Sequence, residues 1–166
     1  MNYAEYEGLL RKRLGTYFDF KTDVSLDGRT YPLVAEHTAR LEQTVLGKDN
    51  VVDYFDTYEY CVLSRHSRAD GEAIALELER AKALVPALSK PCRTHKSTMI
   101  TRIIAVERPL DHGQRAMIRS FRHTKPHRFF LHGWSDVRVY LVDLNTAEVI
   151  ASPRGKRDLA SFVPIA

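Results

Sequence analysis

His112, His123, His127 and His132 crowd one stretch of the chain, and imidazole is both the usual physiological general base and a common metal ligand. A helix would put His123 and His127, four residues apart, on one face, but Pro126 between them disfavours helix. No carboxylate stands at the offset of a zinc-protease helix, and Cys92 with His95 gives a C-x-x-H spacing without a second pair. No metal or cofactor is therefore expected. A second group is Trp134, Asp136 and Arg138, in the segment Gly133-Trp134-Ser135-Asp136-Val137-Arg138. A tryptophan beside an acid and a base suits a ligand pocket, and His95 can join it if its loop lies near. A third group is Glu36, Glu42 and Glu59 with Arg40, three carboxylates that can bind a cation or exchange a proton if one sheet face gathers them, beside a guanidinium.

Charge supplies the remaining candidates. The net charge of +4 conceals an uneven distribution. Residues 1–89 carry −4, residues 139–166 carry none, and residues 90–138 carry +8. That middle block holds Lys90, Arg93, Lys96, Arg122, Lys125 and Arg128 together with Phe129, Phe130 and Trp134. Cations interleaved with aromatics can hold phosphates and stack bases, so the expected partner is nucleic acid or a small anionic ligand. The competing expectation is that this basic block packs against the acidic first half, within the monomer or across a homodimer. No phosphate-binding glycine loop and no G-x-S-x-G nucleophile motif is present, so the chain reads as a binding module rather than an enzyme.

These side chains need elements to position them. Asn2 with Glu5, and Asp111 with Gln114, are capping-box pairs that open helices over 3–14 and 112–122. Asp70 caps a third helix over 70–88, whose stripe is Ile74, Leu78, Ala81, Val85 and Leu88. Asp27-Gly28 is a type I′ hairpin signal joining strands near 17–26 and 30–45. If Leu46 then pairs with Val51 around Gly47–Asn50, opposed residues sum to 97. Odd positions from Leu33 to Val45 would share an apolar face with Val52, Tyr54, Tyr58, Tyr60 and Val62. Asp56 is the misfit there and predicts that the pair frays or bulges. On the other face Thr38 would oppose Glu59, with Arg40 diagonal to it.

Residues 97–106 read as a strand, 124–134 as irregular, and 136–144 and 147–152 as the last two strands. The order is α-βββ-α-β-α-ββ. It predicts an α+β (mixed α/β) fold with one largely antiparallel sheet and helices on one face. A chain of 166 residues suits one domain over 1–166, with an ordered core over about 3–152 and a tail, 153–166, only partly ordered. No apolar run is long enough to span a bilayer, and two cysteines without a leader pattern suit the cytoplasm.

Two resemblances follow from these segments. AEHTARLEQTVL, VVDYFDTYEYCVL, KPCRTHKSTMIT and HGWSDVRVYLVDL with the later Gly155-Lys156 resemble a family of uncharacterised bacterial proteins, a domain of unknown function associated with anaerobic Gram-positive-type bacteria. That resemblance, over residues 3–156, implies a compact bacterial domain and transfers no site residue. The element order also resembles the core of PD-(D/E)xK nucleases, in which Asp53 would be the first acid and Glu59-Tyr60-Cys61 the triplet. Cys61 stands where that family has its lysine, so the implied activity is at most a degenerate metal-dependent nuclease.

Overall fold

The computed structural model describes residues 1–44, 51–67 and 69–165. The elements run α1 (Tyr3–Leu14), β1 (Asp19–Leu26), β2 (Arg29–Thr44), β3 (Val51–His66), α2 (Gly71–Leu88), β4 (His95–Val106), α3 (His112–Ser120), β5 (His123–Pro126), β6 (Trp134–Asp143), β7 (Val149–Ala151) and a C-terminal 3-10 helix (Pro153–Phe162). Both predicted capping boxes form, and Asp70 caps α2 by accepting a bond from the Ala73 amide at 2.8 Å. Asp27 and Gly28 take φ of 50° and 72°, the backbone that a type I′ turn requires.

The sheet follows the order β1-β2-β3-β4-β6-β5, with β7 on β6. Four pairings are antiparallel; β3–β4 and β4–β6 are parallel, each reached through a crossover containing a helix. The fold is the expected α+β type with a mostly antiparallel sheet. Because β4 fills one side of β6, β5 and β7 divide its other edge, pairing with residues 134–137 and 140–142 in turn.

Three expectations need correction. The β2–β3 register sums to 96, not 97: Leu33 opposes Leu63 and Gln43 opposes Asp53, with an irregularity at Gln43/Thr44. The predicted Leu46–Val51 pair and its loop lie outside the described residues. A one-residue offset sends alternate side chains to opposite faces. Odd residues of β2 therefore share a face with odd residues of β3, Glu59 opposes His37, and Arg40 opposes Asp56. At Asp56 the β2–β3 pairing is regular, against expectation, and the irregularity at Asp56/Thr57 lies in the β3–β4 pairing instead.

The second correction concerns layers. Helices α2 and α3 share one face, as expected, burying Ile74, Leu84, Val85 and Ile118 over Val62, Ile100, Ile104 and Val139. The other face is covered too, by Tyr6 and Leu10 of α1 and by Phe162, over Leu33, Ala35, Cys61 and Ile103. The third concerns the ends of the pattern. The tail holds the 3-10 helix, which packs inward: Phe162 stacks on Tyr140 with ring centroids 4.1 Å apart, and its carbonyl accepts the Tyr6 hydroxyl at 2.8 Å. Part of the stretch expected to be irregular is the edge strand β5.

One polar group interrupts the apolar layers. Arg102 and Glu77 are both fully buried and ion-paired between β4 and α2. Glu77 also receives Arg29 at 2.6 Å, Arg80 at 2.8 Å and His66 at 3.3 Å. Burial pushes its carboxyl up, but hydrogen bonds from His66, Arg80 and Arg102 and the Arg102 charge outweigh that. They hold it well below the usual carboxylate range.

Candidate functional site

Parallel pairing decides what meets what. Strands β3, β4 and β6 run the same way, so Phe55 near the start of β3, His95 and Lys96 at the start of β4, and Trp134 at the start of β6 share one end of the sheet. There a pocket of about 260 Å³ is lined by Phe55, Arg93, His95, Lys96, Phe130 and Trp134, among others. Its back is the contact between the 90–96 and 127–133 loops. The His95 Nδ1–H donates to the His132 carbonyl at 2.6 Å, and Nε2 accepts from the Thr98 hydroxyl at 2.8 Å. Both ring nitrogens are thus engaged, so His95 has no lone pair free for a metal. The ring stacks on Tyr58 at 5.9 Å and meets His127 edge-on at 5.5 Å. Burial above all pushes the His127 ring below its ordinary value. Its Nε2 lies 2.8 Å from the Ser135 hydroxyl.

Gly133 makes this contact possible. Its φ is +69°, and a Cβ there would stand 2.1 Å from the Lys96 carbonyl oxygen. Just before it, Arg128, Phe129 and Phe130 all take left-handed φ, of 46°, 53° and 70°. That conformation costs roughly 1–2 kcal/mol per non-glycine residue. The turn leaves Phe129 96 %, Phe130 61 % and Leu131 78 % exposed.

Lys90, Arg93, Lys96, Arg122, Lys125 and Arg128 are all exposed. Among the described residues none of the six has a carboxylate partner, whereas Arg102, Arg115 and Arg138 of the same sequence block do. Lys90 lies over the Tyr58 ring at 5.7 Å. Arg122 is set apart, in a groove between α2 and α3 lined also by Leu76, Lys82 and Met117.

The remaining candidates divide between places. Arg40 pairs with Asp56 at 2.8 Å and covers Tyr54 at 4.3 Å, on the sheet face opposite Glu59. It does not join His95 and Trp134 in their pocket. Asp136 is buried and accepts from the Trp134 indole N–H at 3.1 Å and from the Thr124 hydroxyl, with Arg154 at 3.5 Å. It therefore orients Trp134 and holds β5 and the tail. Glu59 and Arg138 do converge, in a cavity of about 530 Å³ between the sheet and the layer of α1 and the 3-10 helix. Arg138 donates from Nε to Thr101 at 2.6 Å and from a terminal nitrogen to Asp158, and lies 4.0 Å from Glu59.

Of these six residues, His95 and Trp134 share one pocket, with Asp136 bracing Trp134, Glu59 and Arg138 share another cavity, and Arg40 stands apart. Asp158 was not anticipated, because the tail that carries it was expected to be loose. Among the described residues no three His, Cys, Asp or Glu side chains group as a metal site. The Asp53 side chain lies outside them, and Cys61 is buried, which pushes its thiol up to about 12. Among the described residues no helix is long and apolar enough to cross a membrane.

No curated protein and no solved structure matches the chain. The family described as a domain of unknown function, DUF8052, matches residues 2–164, and the chain belongs to it.

Proposed function

We propose that the chain is a non-enzymatic binding module for a polyanion, single-stranded nucleic acid, held at the end of the sheet where β4 and β6 begin. The supporting observation is a coincidence of two surface features. Lys90, Arg93, Lys96, Lys125 and Arg128 are exposed cations without carboxylate partners among the described residues. Beside them Phe129 and Phe130 are held out in water and Trp134 lines the same pocket as Arg93 and Lys96. Cations contact phosphates without reading sequence, and exposed aromatic faces stack on unpaired bases, which a duplex does not offer. The degenerate-nuclease alternative has less support, since Cys61 holds a buried thiol where a lysine would be needed. A bacterial, cytoplasmic setting belongs to the same proposal, in keeping with two free cysteines.

The test is fluorescence anisotropy of a labelled oligothymidylate across a sodium chloride series. Five phosphate contacts predict a slope of log K against log salt of about −3.5, at roughly 0.7 per contact on a single strand. Lys96→Glu and Arg93→Glu should each lower affinity and flatten the slope by at least about 0.7. Phe130→Ala should weaken oligothymidylate binding by about 1–3 kcal/mol and leave heparin binding unchanged. Binding that ignores salt, or charge-reversal variants that bind like the parent chain, would overturn the proposal.

A further inference from the structure

The Glu59–Arg138 cavity is separate from the cationic end and carries its own inference. We propose that it binds a small organic ammonium ion with an apolar body. Its volume of about 530 Å³ falls within the range of small-molecule sites, about 300–1,000 Å³. Its composition is two-sided. Cys61 and Met99 rise from the sheet, and Phe18 and Phe162 close over them from the opposite layer. Glu59, Asp158 and Arg138 stand among them as two carboxylates and one guanidinium, a net charge of −1.

The hydrogen bonds decide the sign of the ligand. Arg138 is largely committed, with Nε on Thr101 and a terminal nitrogen on Asp158. Glu59 is not: its nearest cation is Arg138 at 4.0 Å, and among the described residues its carboxylate accepts no hydrogen bond. Its side chain is 45 % exposed, so the oxygens reach both solvent and cavity. An entering anion would meet two carboxylates and a guanidinium already bound. An entering ammonium would meet an open acceptor, with Asp158 nearby and apolar side chains for the rest of the molecule. Chemistry at Cys61 plays no part, because its buried thiol stays protonated.

The chain's three methionines provide the readout, since each marks a different place: Met99 in this cavity, Met117 in the α2–α3 groove and Met1 beside α1. Methyl-labelled methionine is followed by NMR during titration with 2-phenylethylammonium chloride, and in parallel with the neutral 2-phenylethanol and the anionic 3-phenylpropionate. We expect a saturable shift of the Met99 methyl alone, with the ammonium binding about tenfold or more tighter than either control, as a charge-assisted hydrogen bond gives. Glu59→Gln should weaken the ammonium about tenfold while Met1 and Met117 keep their shifts, which shows the fold intact. An unmoved Met99 signal, equal affinity for all three compounds, or a Glu59→Gln variant that binds like the parent would overturn the proposal. None of these results depends on the oligothymidylate assay.

Discussion

Glu77→Gln should be among the most damaging conservative changes in this chain, and the structure says where the cost arises. The substitution keeps shape and removes one charge. Arg29 and Arg80 are partly exposed, at 29 % and 35 % of their side chains, and can turn to water. Arg102 cannot. It is fully buried, its other acceptor is the Val62 carbonyl at 3.0 Å, and its Nε already lacks a partner among the described residues. Removing one partner of such a pair costs about 3–5 kcal/mol, because a bare buried charge remains. In a domain of this size that is a fall in Tm of about 6–20 °C. Arg102→Met should cost less, since Glu77 keeps Arg29, Arg80 and His66. The double variant should recover most of the Glu77→Gln loss, as apolar replacement of buried ion pairs often does.

The same carboxylate makes stability depend on pH. Its folded pKa lies below its ordinary value of 4.5, so its contribution is complete above about pH 5 and is lost as pH falls toward the folded value. Urea unfolding of parent and Glu77→Gln at pH 7 and pH 4 measures both effects, and the gap between them should narrow at pH 4. A Glu77→Gln loss below about 1 kcal/mol, or Arg102→Met losing as much as Glu77→Gln, would refute the asymmetry on which this rests.

Two further predictions concern the cationic end. Gly133→Ala combines a left-handed backbone with a Cβ against the Lys96 carbonyl, so it should lose about 2–5 kcal/mol in urea unfolding. An unchanged midpoint would mean that the 90–96 and 127–133 loops do not pack as described. Iodoacetamide on the native chain at pH 7.5 should modify Cys92 and spare Cys61, read by mass spectrometry. Cys92 is exposed and the Thr94 hydroxyl, chief among its contacts, lowers its pKa, whereas burial pushes the Cys61 thiol up to about 12. Modification of Cys61 at a comparable rate would contradict its place in the core.

Local signals in the sequence carried much of the fold. Caps at Asn2, Asp70 and Asp111 and the Asp27-Gly28 turn act within four residues, and all of them are found in place. What depended on distant partners was not legible. The β2–β3 register turned on an irregularity at Gln43/Thr44 that shifts pairing without a sequence mark such as glycine. The apolar alternation was no guide where the strands enter the core, because both faces are covered there and Leu33, Val34 and Ala35, with Tyr60, Cys61, Val62 and Leu63, are buried without alternating. The strand β5 is four residues long with a proline at its end, too short for any period to show. The 3-10 tail repeats every three residues rather than 3.6, so Leu159 and Phe162 did not read as a helix face.

Charge along the chain was legible as a block and misleading in its members. Eight of the eleven cations between residues 90 and 138 fall into two classes that sequence alone treats alike. Arg102, Arg115 and Arg138 sit on or beside secondary structure that packs inward, and find Glu77, Glu148 and Asp158 at separations of 25, 33 and 20 residues. Lys90, Arg93, Lys96, Lys125 and Arg128 sit where loops enter the strand starts and on the sheet edge, and are exposed. A charge whose neighbours across the fold are carboxylates is spent on stability; one whose neighbours are Phe130 and Trp134 remains open to a ligand. The distinction belongs to topology. Parallel pairing of β3, β4 and β6 collects the strand starts at one end, and Gly133 lets two loops close against each other there. That is why aromatic and cationic side chains scattered from Phe55 to Trp134 face the same pocket.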